Sequence, residues 1–351
     1  MGSSSGSKSS NGDVKLLCFE IGYFNTTTQF IICSIGVFIF FILYGYFQEL
    51  IFTLQDFKPY GWYLTFVQFI FYSIFGLIET QIRNDRHRKI PLKTYALLAL
   101  LTVGTMGFSN ASLGHLNYPT QVIFKCCKLI PVLVGSVLIQ GKKYAPLDYF
   151  AAMMMCVGLI WFILADSKLS PIFDMIGLFQ ISSALFCDAA IGNVQEKAMK
   201  AHHASNAEIV LYSYFIGVFY ILLYLLGSGD FLPAFNVCLE HKLETYGYGF
   251  IFSLTGYIGI QIVLQLVRTG GAFAAVTVTT CRKAVTIIIS FLVFQKPFSF
   301  QYVYSGAIVV GGIYLNLYSK SHPDFSITKW LDEAKLKFIH RQSYKKFVQD
   351  V

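Results

Sequence analysis

Apolar residues recur along this chain in runs of about 20, and a helix of that length crosses roughly 30 Å of hydrocarbon. Short segments rich in proline, glycine or charge separate the runs. The pattern predicts an all-α, polytopic membrane protein with ten transmembrane helices. The predicted spans are residues 30–54, 60–82, 94–113, 119–140, 147–166, 173–196, 206–227, 246–267, 271–294 and 300–318. The eighth and ninth spans are separated at Gly270-Gly271.

The composition excludes the soluble classes of protein. Hydrophobic residues make up 55% of the chain and charged residues 13%, whereas soluble domains average about 25% charged residues. The formal net charge of +8 does not indicate a nucleic-acid partner, because the basic residues are spread over short loops and the C-terminal tail. The eight cysteines lack metal-ligand spacing, and no HExxH motif is present. We therefore expect a lipid bilayer as partner, and no cofactor, metal or enzyme activity.

The charge of the loops orients the chain. With ten spans, the loops on the side of both termini hold ten Lys and Arg residues, and the opposite loops hold four. The ten are Arg83, Arg86, Arg88, Lys89, Lys93, Lys142, Lys143, Lys197, Lys200 and Arg268. Because Lys and Arg favour cytosolic loops, both termini are predicted to be cytosolic. They form a disordered Ser/Gly-rich tail over residues 1–29 and a basic tail over residues 319–351.

An internal repeat supports the even number of spans. The segment KLIPVLVGSVLIQGK aligns with KAVTIIISFLVFQKP at an offset of 155 residues, which pairs Lys128 with Lys283. That offset corresponds to five helices, and an odd number puts the two halves in opposite orientations across the membrane. The sequence thus predicts two inverted five-helix repeats, over residues 30–166 and 173–318, with a substrate site between them near the midplane.

Four cations lie inside apolar spans: Lys125 and Lys128 in the fourth, Arg282 and Lys283 in the ninth. Each costs roughly 2.5–3.5 kcal/mol at the centre of a membrane helix, so their retention indicates a function, namely holding an anionic ligand. Lys125 and Lys128 share a helix face. Arg282 and Lys283 are adjacent and diverge by about 100°, so we assign the ligand to Lys283 and leave Arg282 between the ligand and an internal acid. Snorkelling or internal ion pairing is the alternative for all four.

Several uncharged and acidic residues complete the candidate substrate site. Thr279 and Thr280 lie one turn before Lys283, and span 1 carries a polar notch at Tyr46, Gln48 and Glu49. Span 7 carries Tyr212, Ser213 and Tyr214, whose rings and hydroxyls could stack on a nucleobase and bond its edge. Three acids are candidate internal partners of the cations: Glu49, Asp188 and Glu196.

The run NASLGHLNYPTQVIFKCCKLIPVLV resembles the signature of the third and fourth helices in the solute carrier 35 nucleotide-sugar transporters, subfamily B. The segments YGYFQELIF, GNVQEKAM and TVTTCRK match that subfamily in the same order. The resemblance implies a ten-helix exchanger of the drug/metabolite transporter fold, in the Golgi membrane. Within the subfamily it is similar to carriers of 3′-phosphoadenosine 5′-phosphosulfate (PAPS), which exchange it for adenosine 3′,5′-bisphosphate or another adenine nucleotide. A UDP-sugar is the alternative substrate, and a homodimer is left open.

The resemblance also implies roles for particular residues. Lys128 and Lys283 match basic positions implicated in phosphate binding, and Tyr212 to Tyr214 lie where relatives with a Phe-Tyr-Asn-Asn motif recognise the base. That motif is absent here. The Gly-Ala-Leu-Asn-Lys motif of the GDP-mannose branch is replaced by Thr-Thr-Cys-Arg-Lys, which argues against GDP-mannose.

Overall fold

The computed structural model describes residues 15–16, 19–20, 25–82, 88–127, 130–131, 145–169, 174–202, 205–296 and 298–321. Ten helices dominate the described residues: α1 (Thr26–Ile51), α2 (Gly61–Ile82), α3 (Leu92–Ser112), α4 (Tyr118–Cys126), α5 (Pro146–Leu169), α6 (Met175–His202), α7 (Asn206–Ser228), α8 (Phe231–Glu240), α9 (Tyr248–Val293) and α10 (Phe300–Ser321). A 3-10 helix (Gln55–Tyr60) precedes α2, and a π-helical turn (Leu243–Gly247) precedes α9. Two short antiparallel strands, β1 (Lys15–Leu16) and β2 (Phe19–Glu20), lie in the tail for which the sequence predicts disorder.

The helix ends follow local capping chemistry. The side chain of Asn25 accepts a hydrogen bond from the backbone of Thr28 at 3.1 Å, which starts α1 four residues before the predicted span. Ser205 caps α7 in the same way, through the backbone of Glu208. Gly229 ends α7 with a φ of 78°, a left-handed conformation that favours glycine.

Within the described residues, five helical stretches are long and apolar enough to cross a membrane by length and composition. They are Thr26–Ile51, Asp56–Ile82, Leu92–Ser112, Pro146–Leu169 and Ala207–Ser228. These stretches coincide with predicted spans and confirm the helical, polytopic class, whereas the count of ten stays a prediction.

The structure describes only part of the predicted span 119–140. Most residues of this span after Cys127 are outside the described part, and Lys128 is one of them.

The predicted break at Gly270-Gly271 is wrong for this structure, in which α9 continues through it as one helix of 46 residues. Glycine weakens a helix by about 1 kcal/mol relative to alanine but does not forbid helical φ and ψ, so flanking helix formers can carry the helix across it. At 1.5 Å per residue α9 is about 69 Å long, roughly twice the thickness of a hydrocarbon core.

The chain divides into two compact units, the first comprising residues 1–128 and 166–298 and the second residues 129–165 and 299–351. In the first unit α1 packs along α9, α2 against α7, and α3 against both α6 and α7. Its core is aromatic, with Phe69, Tyr72 and Phe252 fully buried. In the second unit α5 and α10 pack through Phe162 and Tyr302, whose ring centroids are 4.9 Å apart. The repeat boundaries predicted from the sequence stay predictions.

The outward faces of the helices are apolar. On α1 one row of exposed residues repeats every four positions and consists of Ile31, Ile35, Ile39 and Leu43. On α7 the same spacing exposes Phe215, Phe219 and Leu223. A soluble protein would bury such faces, whereas lipid chains solvate them.

Candidate functional site

The first unit contains a cavity of about 340 Å³ between α1, α2, α3, α4, α6, α7 and α9. Its wall has two chemical regions. A cationic region carries Lys125, Arg282 and Lys283, and an aromatic region carries Tyr44, Tyr72 and Tyr214. Both regions come from helices that are distant in sequence, so the cavity exists only in the folded chain.

Hydrogen bonds join the cationic region across two helices. Lys283 of α9 donates from Nζ to the backbone oxygen of Lys125 at 3.0 Å, and this oxygen belongs to the last turn of α4. Lys125 in turn donates from Nζ to Oε1 of Gln121, one turn earlier, at 3.4 Å. The structure thereby brings together the two predicted cationic segments, 158 residues apart.

Arg282 and Lys283 both line the cavity, although adjacent residues on a helix diverge by about 100°. Both can do so because α9 has a neighbour on each side, and the assignment of the ligand to Lys283 stays a prediction. Arg282 extends toward α1, where Cζ of its guanidinium lies 4.6 Å from the ring centroid of Phe41, and Lys283 extends toward α4. Nε of Arg282 is buried and has no hydrogen-bond partner among the described residues.

Acids do not balance these cations within the described wall. Three cations face a single carboxylate there, that of Asp188 on α6. Glu196, another predicted partner, lies on α6, and its side chain is outside the part that the structure describes. The surplus of positive charge favours an anionic ligand, since buried charges of one sign are costly without a counter-charge.

Glu49 is not among the residues of the cavity wall, and its role as a substrate contact stays a prediction. It forms an ion pair with Lys296 and accepts a hydrogen bond from Oγ of Ser290 at 2.9 Å. Lys296 follows α9, and burial lowers the pKa of its amine while the carboxylate of Glu49 acts in the opposite direction. An acid of α1 is thus partnered by a cation 247 residues later, which sequence spacing could not reveal.

The other two residues of the predicted notch, Gln48 and Tyr46, lie on different faces of α1. Gln48 lines the cavity and donates from Nε2 to Oδ1 of Asn110 at 2.7 Å. Tyr46 is not part of the wall and packs against Phe294, with ring centroids 5.8 Å apart. One of the three predicted notch contacts therefore faces the cavity.

The three consecutive residues predicted on α7 also point in different directions from the helix. Tyr214 lines the cavity, whereas Tyr212 packs against Tyr95 with ring centroids 5.0 Å apart. Ser213 is buried away from the wall, and its hydroxyl has no hydrogen-bond partner among the described residues. On α9, Thr279 is partly buried outside the wall, and the side chain of Thr280 is not among those described.

Sequence reasoning missed most of the aromatic region. Tyr44 stacks on Phe252 at a centroid distance of 4.4 Å, and Tyr72 lies 4.8 Å from Tyr214. No sequence signal separates these rings from the rest of the 22 tyrosines. Gln121 could have been found, because it lies four residues before Lys125 on an otherwise apolar helix face.

A glycine makes room for the aromatic region. A side chain at Gly256 of α9 would collide with the hydroxyl of Tyr72 and would lie 2.8 Å from the ring of Tyr44. The absence of a Cβ at this position lets both rings approach the α9 backbone, so the shape of the aromatic region depends on it.

Lipid-facing helices around a cationic cavity with an aromatic region define a membrane carrier for an anionic solute. The chain matches the UAA transporter family over residues 29–320, and it belongs to that family. It is accordingly a transporter and not an enzyme. The family resemblance drawn from the sequence is confirmed.

Curated relatives carry a common name, adenosine 3′-phospho 5′-phosphosulfate transporter 2. The chain is 62% identical to the protein of that name from Anopheles gambiae, with 88% of this chain and 82% of the relative covered. It is 61% identical to the one from Mus musculus, with 88% and 84% covered, and 61% identical to the one from Homo sapiens, with 88% and 77% covered.

Proposed function

We propose that this protein carries PAPS from the cytosol into the Golgi lumen, in exchange for adenosine 3′,5′-bisphosphate or another adenine nucleotide. The observation that carries the proposal is the cavity that joins a cationic region to an aromatic region in about 340 Å³, a volume within the usual range for small-molecule sites. PAPS has the same division, with an adenine ring at one end and phosphate and sulfate groups at the other. The names of the relatives support the same substrate.

The charge of the wall favours a ligand with several anionic groups. PAPS carries a 5′-phosphate, a sulfate and a 3′-phosphate, whereas a UDP-sugar carries one diphosphate. Lys125 and Lys283 would act as point charges on the phosphates, and the planar guanidinium of Arg282 would bind two oxygens of one group. Lys128 lies outside the described residues, and its role in phosphate binding stays a prediction.

The aromatic region would hold the base. Tyr44, Tyr72 and Tyr214 present rings to the cavity, and stacking of a base on an aromatic side chain contributes roughly 1–3 kcal/mol. Stacking is tolerant of base identity, so the anionic groups rather than the rings would distinguish PAPS from other nucleotide conjugates.

Uptake by purified protein in proteoliposomes tests the substrate. Labelled PAPS should enter, and unlabelled adenosine 3′,5′-bisphosphate should compete strongly with it, because that molecule keeps both phosphates. Adenosine and inorganic sulfate should hardly compete, because each leaves buried cations without a counter-charge. Stronger competition by UDP-sugars than by the bisphosphate would reassign the substrate.

We further propose ten membrane crossings in two inverted five-helix repeats, with both termini cytosolic, supported by the excess of Lys and Arg in the loops of one side. Ten crossings require the chain to fold back near Gly270-Gly271 in the membrane, where the structure has the continuous helix α9. If α9 crosses only once, the count is nine and the termini lie on opposite sides. Tags at the two termini should both be reached by antibodies when only the plasma membrane is permeabilised.

The sequon at Asn25 should stay unglycosylated, so a glycosidase-sensitive gel shift that disappears in Asn25→Gln would contradict this topology.

A further inference from the structure

One buried polar group outside the cavity joins two helices that line it. It consists of Glu49 near the end of α1, Ser290 near the end of α9, and Lys296 just beyond α9, and we call these three residues the Glu49 cluster. Glu49 and Lys296 form an ion pair whose side chains are only 8% and 14% exposed. Ser290 donates to Glu49 at 2.9 Å and accepts from Nζ of Lys296 at 3.1 Å.

The backbone adopts an unusual conformation to bring Lys296 into this cluster. Gln295, immediately before it, has a φ of 44°, the single non-glycine positive φ among the described residues. A left-handed conformation is unfavourable for a residue with a Cβ and persists where the surroundings impose it. The turn after α9 therefore adopts this conformation at a cost in free energy, and it places Lys296 beside Glu49.

The cluster lies close to the cavity along both helices. On α1, Gln48 lines the cavity and is the residue next to Glu49. On α9, Ser290 follows the cavity residue Arg282 by eight positions, or about 12 Å of helix. Between them, a Cβ added at Gly45 of α1 would lie 3.1 Å from Cγ2 of Thr286 on α9, so the two helices lie close together between the cavity and the cluster.

We propose that the Glu49 cluster is a releasable latch, which holds the ends of α1 and α9 together while the cavity is closed on that side and separates in every transport cycle. The proposal rests on the proposed carrier function. A buried ion pair gives little net stability but strongly favours one arrangement, because either charge is costly once it loses its partner. Opening the cluster to water restores the solvation of both charges, so the closed and open arrangements are both accessible.

A crosslink across the cluster tests the latch. The double variant Glu49→Cys, Lys296→Cys is reconstituted and treated with a short bis-methanethiosulfonate, and each single variant receives the same treatment as the control for the native cysteines. PAPS uptake by the double variant should fall roughly tenfold or more and return with dithiothreitol, since a carrier confined to one state cannot complete a cycle. Uptake by the crosslinked double variant at the rate of the single variants would overturn the proposal.

If the double variant is inactive before crosslinking, a second measurement tests whether the Glu49 cluster opens during transport. The single variant Lys296→Cys is labelled with a membrane-impermeant thiol reagent, with and without PAPS exchange. Labelling should accelerate several-fold during exchange because the cluster then opens to water, whereas the exposed control Lys242→Cys should react at one rate throughout. Equal labelling of Lys296→Cys in both conditions overturns the latch.

If the wild type takes up UDP-N-acetylglucosamine and not PAPS, the proposed substrate fails. The same labelling of Lys296→Cys is then measured with that nucleotide sugar.

Discussion

Replacement of Lys283 by alanine is expected to lower PAPS uptake by roughly 10- to 100-fold, because a hydrogen bond to a charged group contributes about 1.5–3 kcal/mol. Lys283 lines the cavity and is also bonded to the backbone of α4, so it both presents a charge and fixes the neighbouring cationic helix. Abundance should remain near normal, since the variant also removes a charge that is costly to bury in the empty protein. Initial rates in proteoliposomes at matched protein content measure the effect.

Two variants separate the roles of Lys283. Lys283→Gln keeps a donor for the backbone oxygen of Lys125 but lacks the charge, and it should transport as poorly as Lys283→Ala. Lys168→Ala, at an exposed lysine in α5, should transport normally. Normal transport by Lys283→Ala would contradict the cationic site, and loss of folded protein would instead indicate that Lys283 is an internal ion-pair partner.

The sequence predicted those properties of the site that depend on the cost of a charge in lipid. Lys125, Arg282 and Lys283 each interrupt an apolar helix, and a charge in that setting must face a cavity or a partner. The expectation that such residues lie together needs no knowledge of the fold, and the structure brings these three to one wall. The apolar runs predicted the membrane class for the same reason.

The sequence did not show which face of each helix points into the cavity, and this limited the prediction of individual contacts. Tyr212 and Tyr214 are two positions apart, yet the first faces Tyr95 and the second the cavity. In a helix with apolar residues all round, neither periodicity nor polarity shows which face is inward, because lipid and protein core solvate the same side chains. The same ambiguity applies to Tyr46 beside Gln48.

Long-range pairing could not be predicted either. Glu49 is paired with Lys296, which lies in a turn that the sequence marks only by the following proline. The continuity of α9 through Gly270-Gly271 was not predicted either, because glycine disfavours a helix without forbidding one.

Exchange should be several-fold faster than net uptake of PAPS. An occupied cavity neutralises Lys125, Arg282 and Lys283 while the protein changes state, whereas an empty cavity would carry these charges through the occluded state without a counter-ion. A solute that lacks phosphate cannot replace PAPS in this role, so adenosine inside the vesicle should not accelerate uptake.

The most direct measurement is the initial rate of labelled PAPS uptake into proteoliposomes loaded with adenosine 3′,5′-bisphosphate, with adenosine, or with buffer alone. Uptake should be fast against the bisphosphate and similarly slow in the other two preparations. Equal rates in all three preparations would contradict a carrier that moves PAPS by exchange through a cationic cavity.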